Sequence, residues 1–288
     1  MACMVSTHPS VNESLKEYGR GIAGGLLFSL PMLYTMEFWW TGFIREPAQL
    51  LIYVIVGFFL LYVYNKYAGL SPADNFKQNL LESIEEMGLG ILLTVFILYI
   101  TGRLMPGMSW DEITGKIIVE SVTVAIGISV GKKQLGSVDP DDKEKKDQKE
   151  SQPASPPHFF RSINLALCGA VLVASNIAPT DEVAVIAMEA EPYKIFLIAV
   201  LALGIGAAIL YYINFKGTKK KGLIGSSRIE IVSGIFIMYA ISLLASAFML
   251  WFFGRFEGVS LYFILAQIVV LSFPASLGAS AGRFLIQD

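Results

Sequence analysis

Glu37, Glu120 and Glu182 lie within or at the edge of long apolar runs. A carboxylate inside a membrane span costs about 3 kcal/mol unless it is paired or wetted. Such an acid suits two kinds of chemistry. It can hold a cation together with neighbouring oxygens, or it can take and release a proton, because loss of water favours the neutral acid. Glu37 closes the triplet Thr35-Met36-Glu37 and is followed nine residues later by Glu46-Pro47. Glu182 closes Thr180-Asp181-Glu182 and is followed at the same distance by Glu191-Pro192. The two signatures stand at one offset of 145 residues, from 37 to 182 and from 46 to 191.

That recurrence predicts an acidic pair, Glu37 and Glu182, facing each other as an outer cation vestibule, with hydroxyl oxygens from Thr35 and Thr180. Residues two apart on a helix are about 200° apart, so Thr and Glu share a face only if the helix breaks there. Pro31, Pro179 and Pro274 are candidate breaks. The plainer reading of Glu37 is an interfacial carboxylate beside the aromatic belt of Trp39 and Trp40. Glu120 lies deeper, ten residues and about 15 Å beyond Trp110. Lys116, one turn away, is its predicted i, i+4 partner. The repeat counterpart of Glu120 is Leu271, so the halves differ here.

Other chemistry is excluded residue by residue. Gly127-x-Ser129-x-Gly131 fits a nucleophile-elbow pattern, but that device needs a strand-to-helix turn and a partner histidine. The only histidines are His8 and His158, in the tail and the linker. Gly127 with Gly131, and Gly278 with Gly282, instead predict close helix packing. There is no Walker loop, dinucleotide fingerprint, redox pair or Cys/His metal cluster, so no enzyme activity, cofactor or metal is expected. Glu82, Glu85, Glu86 and Glu230 read as charges at helix starts. Cys3 and Cys168 do not make a disulfide framework.

The elements that must position these acids are helices in a bilayer. The 288 residues are 54% hydrophobic and 16% charged, with mean hydropathy +0.58. Soluble domains carry about 25% charge. Apolar runs of about 20 residues recur, each enough for a hydrocarbon core of about 30 Å. The fold class predicted is all-α, a polytopic membrane protein with eight transmembrane helices as two parallel four-helix repeats. The spans fall at 21–43, 48–66, 83–102, 111–131, 161–179, 193–214, 229–253 and 260–284. Domain boundaries follow: a polar tail over 1–19, a first repeat over 20–133, a charged Pro/Ser-rich linker over 134–160 and a second repeat over 161–288. The polar start of the chain lacks a signal-peptide pattern, so the first run is expected to remain as a span.

Further anchors support the repeat. Gly102-Arg103 recurs as Gly254-Arg255, and Gly127-Ile-Ser129-Val-Gly131-Lys132 as Gly278-Ala-Ser280-Ala-Gly282-Arg283. An even number of helices per repeat gives both halves one orientation, related by an axis along the membrane normal. Lys and Arg collect in alternate loops, which places both termini and the linker in the cytoplasm of a cell with the protein in its inner membrane. Expected partners are the lipid bilayer, anionic lipid at the basic loop 216–221, and a second copy or a cytoplasmic protein; no nucleic acid is expected.

The stretch from Arg20 to Trp40, RGIAGGLLFSLPMLYTMEFWW, resembles a bacterial family of integral membrane proteins of cyanobacterial and rhizobial type with no assigned function. The resemblance implies a multi-span inner-membrane protein and contributes no site residues. Two functions are left open: a cation- or proton-linked transporter or channel, and a non-catalytic scaffold or accessory subunit. They differ in whether Glu37, Glu120 and Glu182 line one aqueous cavity.

Overall fold

The computed structural model describes residues 11–33, 35–68, 76–134, 158–215 and 228–284. These residues form ten α-helices and no strand. The first five are α1 (Val11–Leu33), α2 (Met36–Ile44), α3 (Pro47–Ala68), α4 (Phe76–Ile100) and α5 (Trp110–Gln134). The second five are α6 (His158–Ile177), α7 (Glu182–Glu189), α8 (Pro192–Phe215), α9 (Arg228–Phe252) and α10 (Leu261–Phe284). Most of the linker, residues 135–157, and the basic loop 216–221 lie outside the described residues, as do residues 1–10 of the tail. The rest of the tail, Val11 to Gly19, is the first part of α1 rather than an irregular segment.

Among the described residues, five helices are long and apolar enough to cross a membrane by themselves: Pro47–Tyr67, Phe76–Ile100, Trp110–Lys132, Val232–Phe252 and Leu261–Ala281. Ser162–Ile177 with Glu182–Glu189 forms a pair bent by 87°, which makes a sixth if it counts as one span. The expected span 21–43 is instead two helices, α1 and α2, separated at Thr35. Charged residues occupy α1 up to Arg20, which leaves 13 residues from Gly21 to Leu33, about 20 Å of rise. Pro31 lies inside α1, where it removes the hydrogen bond to the carbonyl of Leu27, and the helix ends two residues later. Pro179 is not inside a span; it sits in the turn between α6 and α7. Pro274 lies within the continuous α10.

Two helices organise the packing. α5 is the most buried of these spans and packs against α1, α2, α3, α4 and α6. α10 packs against α6, α7, α8 and α9. The halves meet where α6 lies against α3, and one apolar core runs through both, from Met32 and Tyr53 to Phe252 and Leu271. Tyr53 stacks on Phe252 across this junction, with ring centroids 4.0 Å apart. On the opposite side, α4 turns Leu81, Ile84, Leu92 and Phe96 outward, as a helix facing lipid should.

Glycine decides how closely α1 approaches α5. A Cβ on Gly24 would lie 2.3 Å from the Gly131 Cα and 2.8 Å from the Gly127 carbonyl oxygen. The helices therefore touch backbone to backbone, as small-residue packing in membranes allows. Gly278 plays the same part against the Gly169 carbonyl, where a Cβ would come to 2.3 Å. The surroundings of Gly282 lie outside the described residues. The partners of these glycines are thus on neighbouring helices.

Helices α4 and α9 end alike. Gly102 and Gly254 take φ of +70° and +72°, and the following Arg103 and Arg255 N–H groups donate to Leu98 and Leu250 carbonyls at 2.8 and 2.9 Å. This six-to-one bond with a left-handed glycine satisfies helix-end carbonyls that would otherwise be orphaned. Helices α5 and α10 begin alike too. Ser109 and Ser260 hydroxyls accept the N–H of the residue three further on, Glu112 and Phe263, at 3.2 and 3.3 Å.

Candidate functional site

Glu120 occupies the middle of α5 and is wholly buried. Neither of its carboxylate oxygens has a hydrogen-bond partner among the described residues. The expected pair with Lys116 does not form. Lys116 points the other way along the helix, to Glu112 at 2.6 Å and to the Arg103 carbonyl oxygen at 3.3 Å. Nearer the helix start that ammonium finds a partly exposed carboxylate and a backbone carbonyl, which is cheaper than meeting Glu120 in the core.

The level of Glu120 follows from the contacts of α1 with α5. The helices run antiparallel: Glu17 meets Lys132, Gly24 meets Gly127 and Gly131, and Gly25 meets Ile128 and Val124. Gly127 and Gly131 stand seven and eleven residues beyond Glu120, close to whole numbers of turns, so all three share one stripe of α5. Moving the same seven and eleven residues along α1 from Gly24 leads to Pro31 and Thr35. Glu120 is therefore level with the break between α1 and α2. In secondary transporters, discontinuous helices form the substrate and ion sites.

The other expected site residues are dispersed. Thr35 is the residue before α2, extended at φ −93° and ψ 116°, and its hydroxyl donates to the Pro31 carbonyl at 2.5 Å. Glu37 follows in the first turn of α2 and is half-buried, and its backbone carbonyl accepts the Thr41 hydroxyl at 2.8 Å. Thr180 donates to the Ile177 carbonyl at 2.8 Å. Glu182 opens α7 and is exposed. The break that would let Thr and Glu share a site exists in both halves. α2 packs on α5, however, while α7 packs on α10.

Beside Glu120, the Tyr53 hydroxyl of α3 lies 3.0 Å from Thr123 Oγ1 and donates to the Val119 carbonyl at 3.4 Å. Below them is a cavity of about 10 Å³ between α3, α5, α6 and α9, lined by Gly57, Leu60, Thr123, Ile126 and Ser175 among others. That is room for about one water molecule.

A second polar cluster lies toward the end of the molecule from which the linker departs, and sequence reasoning did not assemble it. Asn65 of α3 donates to Glu86 Oε2 at 2.7 Å and to Ser83 Oγ at 3.0 Å, and accepts from Ser129 Oγ at 2.6 Å. Asn65, Ser83, Glu86 and Ser129 are all wholly buried. Lys132 Nζ lies 3.9 Å from Glu86, 3.3 Å from Glu85 and 3.8 Å from Glu17. Glu85 and Glu17 are half exposed, so this end of the cluster reaches solvent. The Tyr18 phenol, which precedes the apolar part of α1, is hydrogen-bonded to Glu85 and faces its charge, and both effects hold its pKa above the ordinary value. Glu86 is therefore not a helix-start charge. The readable signal is on α4, where the buried positions Asn79, Ser83, Glu86, Gly90 and Thr94 form a polar stripe at helical spacing.

At the other end, charges tie the turns together. Arg45 pairs with Glu257 at 2.5 Å, joining the α2–α3 corner to the α9–α10 turn. Arg255 pairs with Asp181 at 2.7 Å and also donates to the Pro179 carbonyl. The Arg103 guanidinium lies 4.1 Å from the centre of the Trp39 ring.

Comparison with known proteins places the chain in a membrane protein family. No curated protein and no solved structure matches the chain. One family matches residues 17–286, nearly the whole sequence, under the description "Putative integral membrane protein (DUF2391)". By that match and by its spans, the chain is a multi-pass integral membrane protein and belongs to this family.

Proposed function

We propose that this protein is a proton-linked transporter or channel in which Glu120 takes and releases the proton. The observation that carries the reading is Glu120 itself, wholly buried on the most buried span with neither oxygen hydrogen-bonded among the described residues. An acid left so in a membrane core is retained for use rather than for stability. A proton suits it better than a metal cation. Metal cations call for several oxygen ligands, and no group of three or more His, Cys, Asp or Glu that could hold one occurs among the described residues. One carboxylate holds one proton unaided. Glu37, beside Thr35 at the break level with Glu120, is the access carboxylate, while Glu182 and Thr180 stand at the matching break of the other half against α10.

The architecture proposed with it is two parallel repeats of four crossings, each with one short helix: α1 to α5 and α6 to α10. Support comes from the recurring order of helices, the like-ended α4 and α9, and the like-started α5 and α10. Lys116 and Gln267 extend the parallel. Each donates to the carbonyl of an arginine after the left-handed glycine, Arg103 at 3.3 Å and Arg255 at 3.2 Å. The Lys/Arg bias places the linker and both termini in the cytoplasm, with the basic loop 216–221 on anionic lipid. Reporter fusions at residue 145 and at the C-terminus should both score cytoplasmic. A periplasmic signal at either one removes this topology.

A scaffold role is the second reading. It is favoured by the dispersal of Glu37, Glu120 and Glu182 and by the pairing of the outer charges Arg45–Glu257 and Arg255–Asp181. The experiment that separates the two is flux into proteoliposomes carrying a pH-sensitive dye. Under an imposed pH gradient, with and without a membrane potential, the protein should acidify the lumen faster than protein-free liposomes. Equal rates under every gradient would sink the transport reading and leave the scaffold.

A further inference from the structure

We infer that Glu86 is a second protonation site and that the α3–α5 seam is the route by which protons pass between it and Glu120. The inference rests on the proton reading of Glu120 and adds to it a path and a direction of access. Glu86 is wholly buried, yet it is joined to solvent through Lys132, which also lies within 4 Å of the half-exposed Glu85 and Glu17. Inward from Glu86, Asn65 donates to its carboxylate and accepts from the Ser129 hydroxyl of α5.

From Ser129 to Glu120 is nine residues, about 13 Å along α5. The seam between them is not uniformly closed. Tyr53 and Thr123 make a polar pair at its Glu120 end, and the one-water cavity lies between that pair and Ser129, lined by Leu60, Thr123 and Ile126. Gly57 keeps α3 close to α5 here, since a Cβ on it would come to 2.2 Å from Val122 Cγ1. The route is thus two polar stations separated by an apolar gap that can take a water. In the transfer, the O–H bond at Glu86 breaks as one forms at Glu120. Asn65 holds Glu86 and Ser129 in line but its amide does not relay, so water carries the proton from Glu86 to the Ser129 hydroxyl, across the gap to Thr123 and from Thr123 to Glu120, each oxygen taking one proton as it releases another.

The cluster belongs to the first half alone. At the corresponding positions of the second half, Leu210 replaces Asn65, Met238 replaces Glu86 and Leu271 replaces Glu120. Losing all three together is what a route confined to one half predicts. The charged group facing Glu86 is Lys132 from α5, with Glu17 of α1 and Glu85 of α4 around that ammonium. Facing Glu120 is the Tyr53 phenol of α3, while Lys116 on α5 turns away to Glu112.

The test follows the carboxyl stretch of Glu120, identified by its loss in Glu120→Gln, by infrared spectroscopy on the full-length protein in lipid nanodiscs after a pH jump. Glu86→Gln keeps the bond from Asn65 but cannot carry a proton. It should slow the response of the Glu120 band by roughly 100-fold, the scale of removing a positioned proton-transfer group. Thr123→Val, which removes a hydroxyl without touching a charge, should slow it too, and Glu86→Asp should restore most of the rate. Unchanged rates in Glu86→Gln and Thr123→Val, with the band still titrating, overturn the route while leaving the role of Glu120 intact. A wild-type protein with no titrating Glu120 band and no flux overturns both.

Discussion

Gly131→Val is expected to abolish the folded protein, while Gly88→Val, a glycine substitution on a neighbouring helix, leaves yield and thermal stability near wild type. A Cβ on Gly131 would lie 2.5 Å from the Gly24 Cα, 2.8 Å from the Arg20 carbonyl oxygen and 3.0 Å from the Gly24 nitrogen. All three atoms are backbone, so no side chain can rotate away, and α1 must move off α5. Overpacking a well-filled core costs about 1–3 kcal/mol even where side chains can adjust. Here the loss also parts α1 from its contacts with Lys132 through Glu17. A Cβ on Gly88 meets nothing within 4 Å. Detergent-solubilised yield and the midpoint of thermal aggregation check the pair. A Gly131→Val protein as stable as Gly88→Val would mean that α1 is not held against α5 at this crossing.

The pattern of Gly127 and Gly131 made close packing readable from sequence, but not its partner. Spacing along one helix says which residues share a face, and only the fold says that the facing backbone is Gly24. The same limit explains the first span. Gly21 to Ile44 is apolar almost throughout, and hydropathy alone cannot distinguish one long helix from α1 and α2 meeting at Thr35. The hint was stereochemical: Thr35 and Glu37 cannot share a face on one helix, and Pro31 lies just before them.

The deep acid was legible and its surroundings were not. Apolar residues on both sides of Glu120 announce burial, but the choice of Lys116 between Glu112 and Glu120 depends on which end of α5 meets solvent and on the Arg103 carbonyl nearby. Glu86 was misread because it lies ten residues into α4, near enough to the helix start to pass for a capping charge. In water an amphipathic helix buries its apolar face. In lipid the polar stripe turns inward, and reading Asn79, Ser83, Glu86, Gly90 and Thr94 that way identifies the buried face of α4.

Glu120→Leu is expected to raise stability and end proton flux, and Glu120→Gln to end flux with stability little changed. On the proposed repeat the counterpart of Glu120 is a leucine, Leu271, which is wholly buried. The carboxyl group at 120 is buried with neither oxygen hydrogen-bonded among the described residues. Leaving a buried polar group unsatisfied costs about 1–3 kcal/mol, and a leucine in its place leaves no polar atom unsatisfied. That is enough to move a thermal midpoint by a few degrees. Glutamine keeps nearly the same volume and stays polar, so it recovers little of this, but it no longer titrates. Stabilisation with loss of flux in the leucine variant, and loss of flux alone in the glutamine variant, is the signature of a group kept at a cost in stability because it works. If Glu120→Leu instead destabilises the protein, the carboxylate has partners that hold it in place. If both variants keep wild-type flux, the proton passes elsewhere and Glu120 is not its carrier.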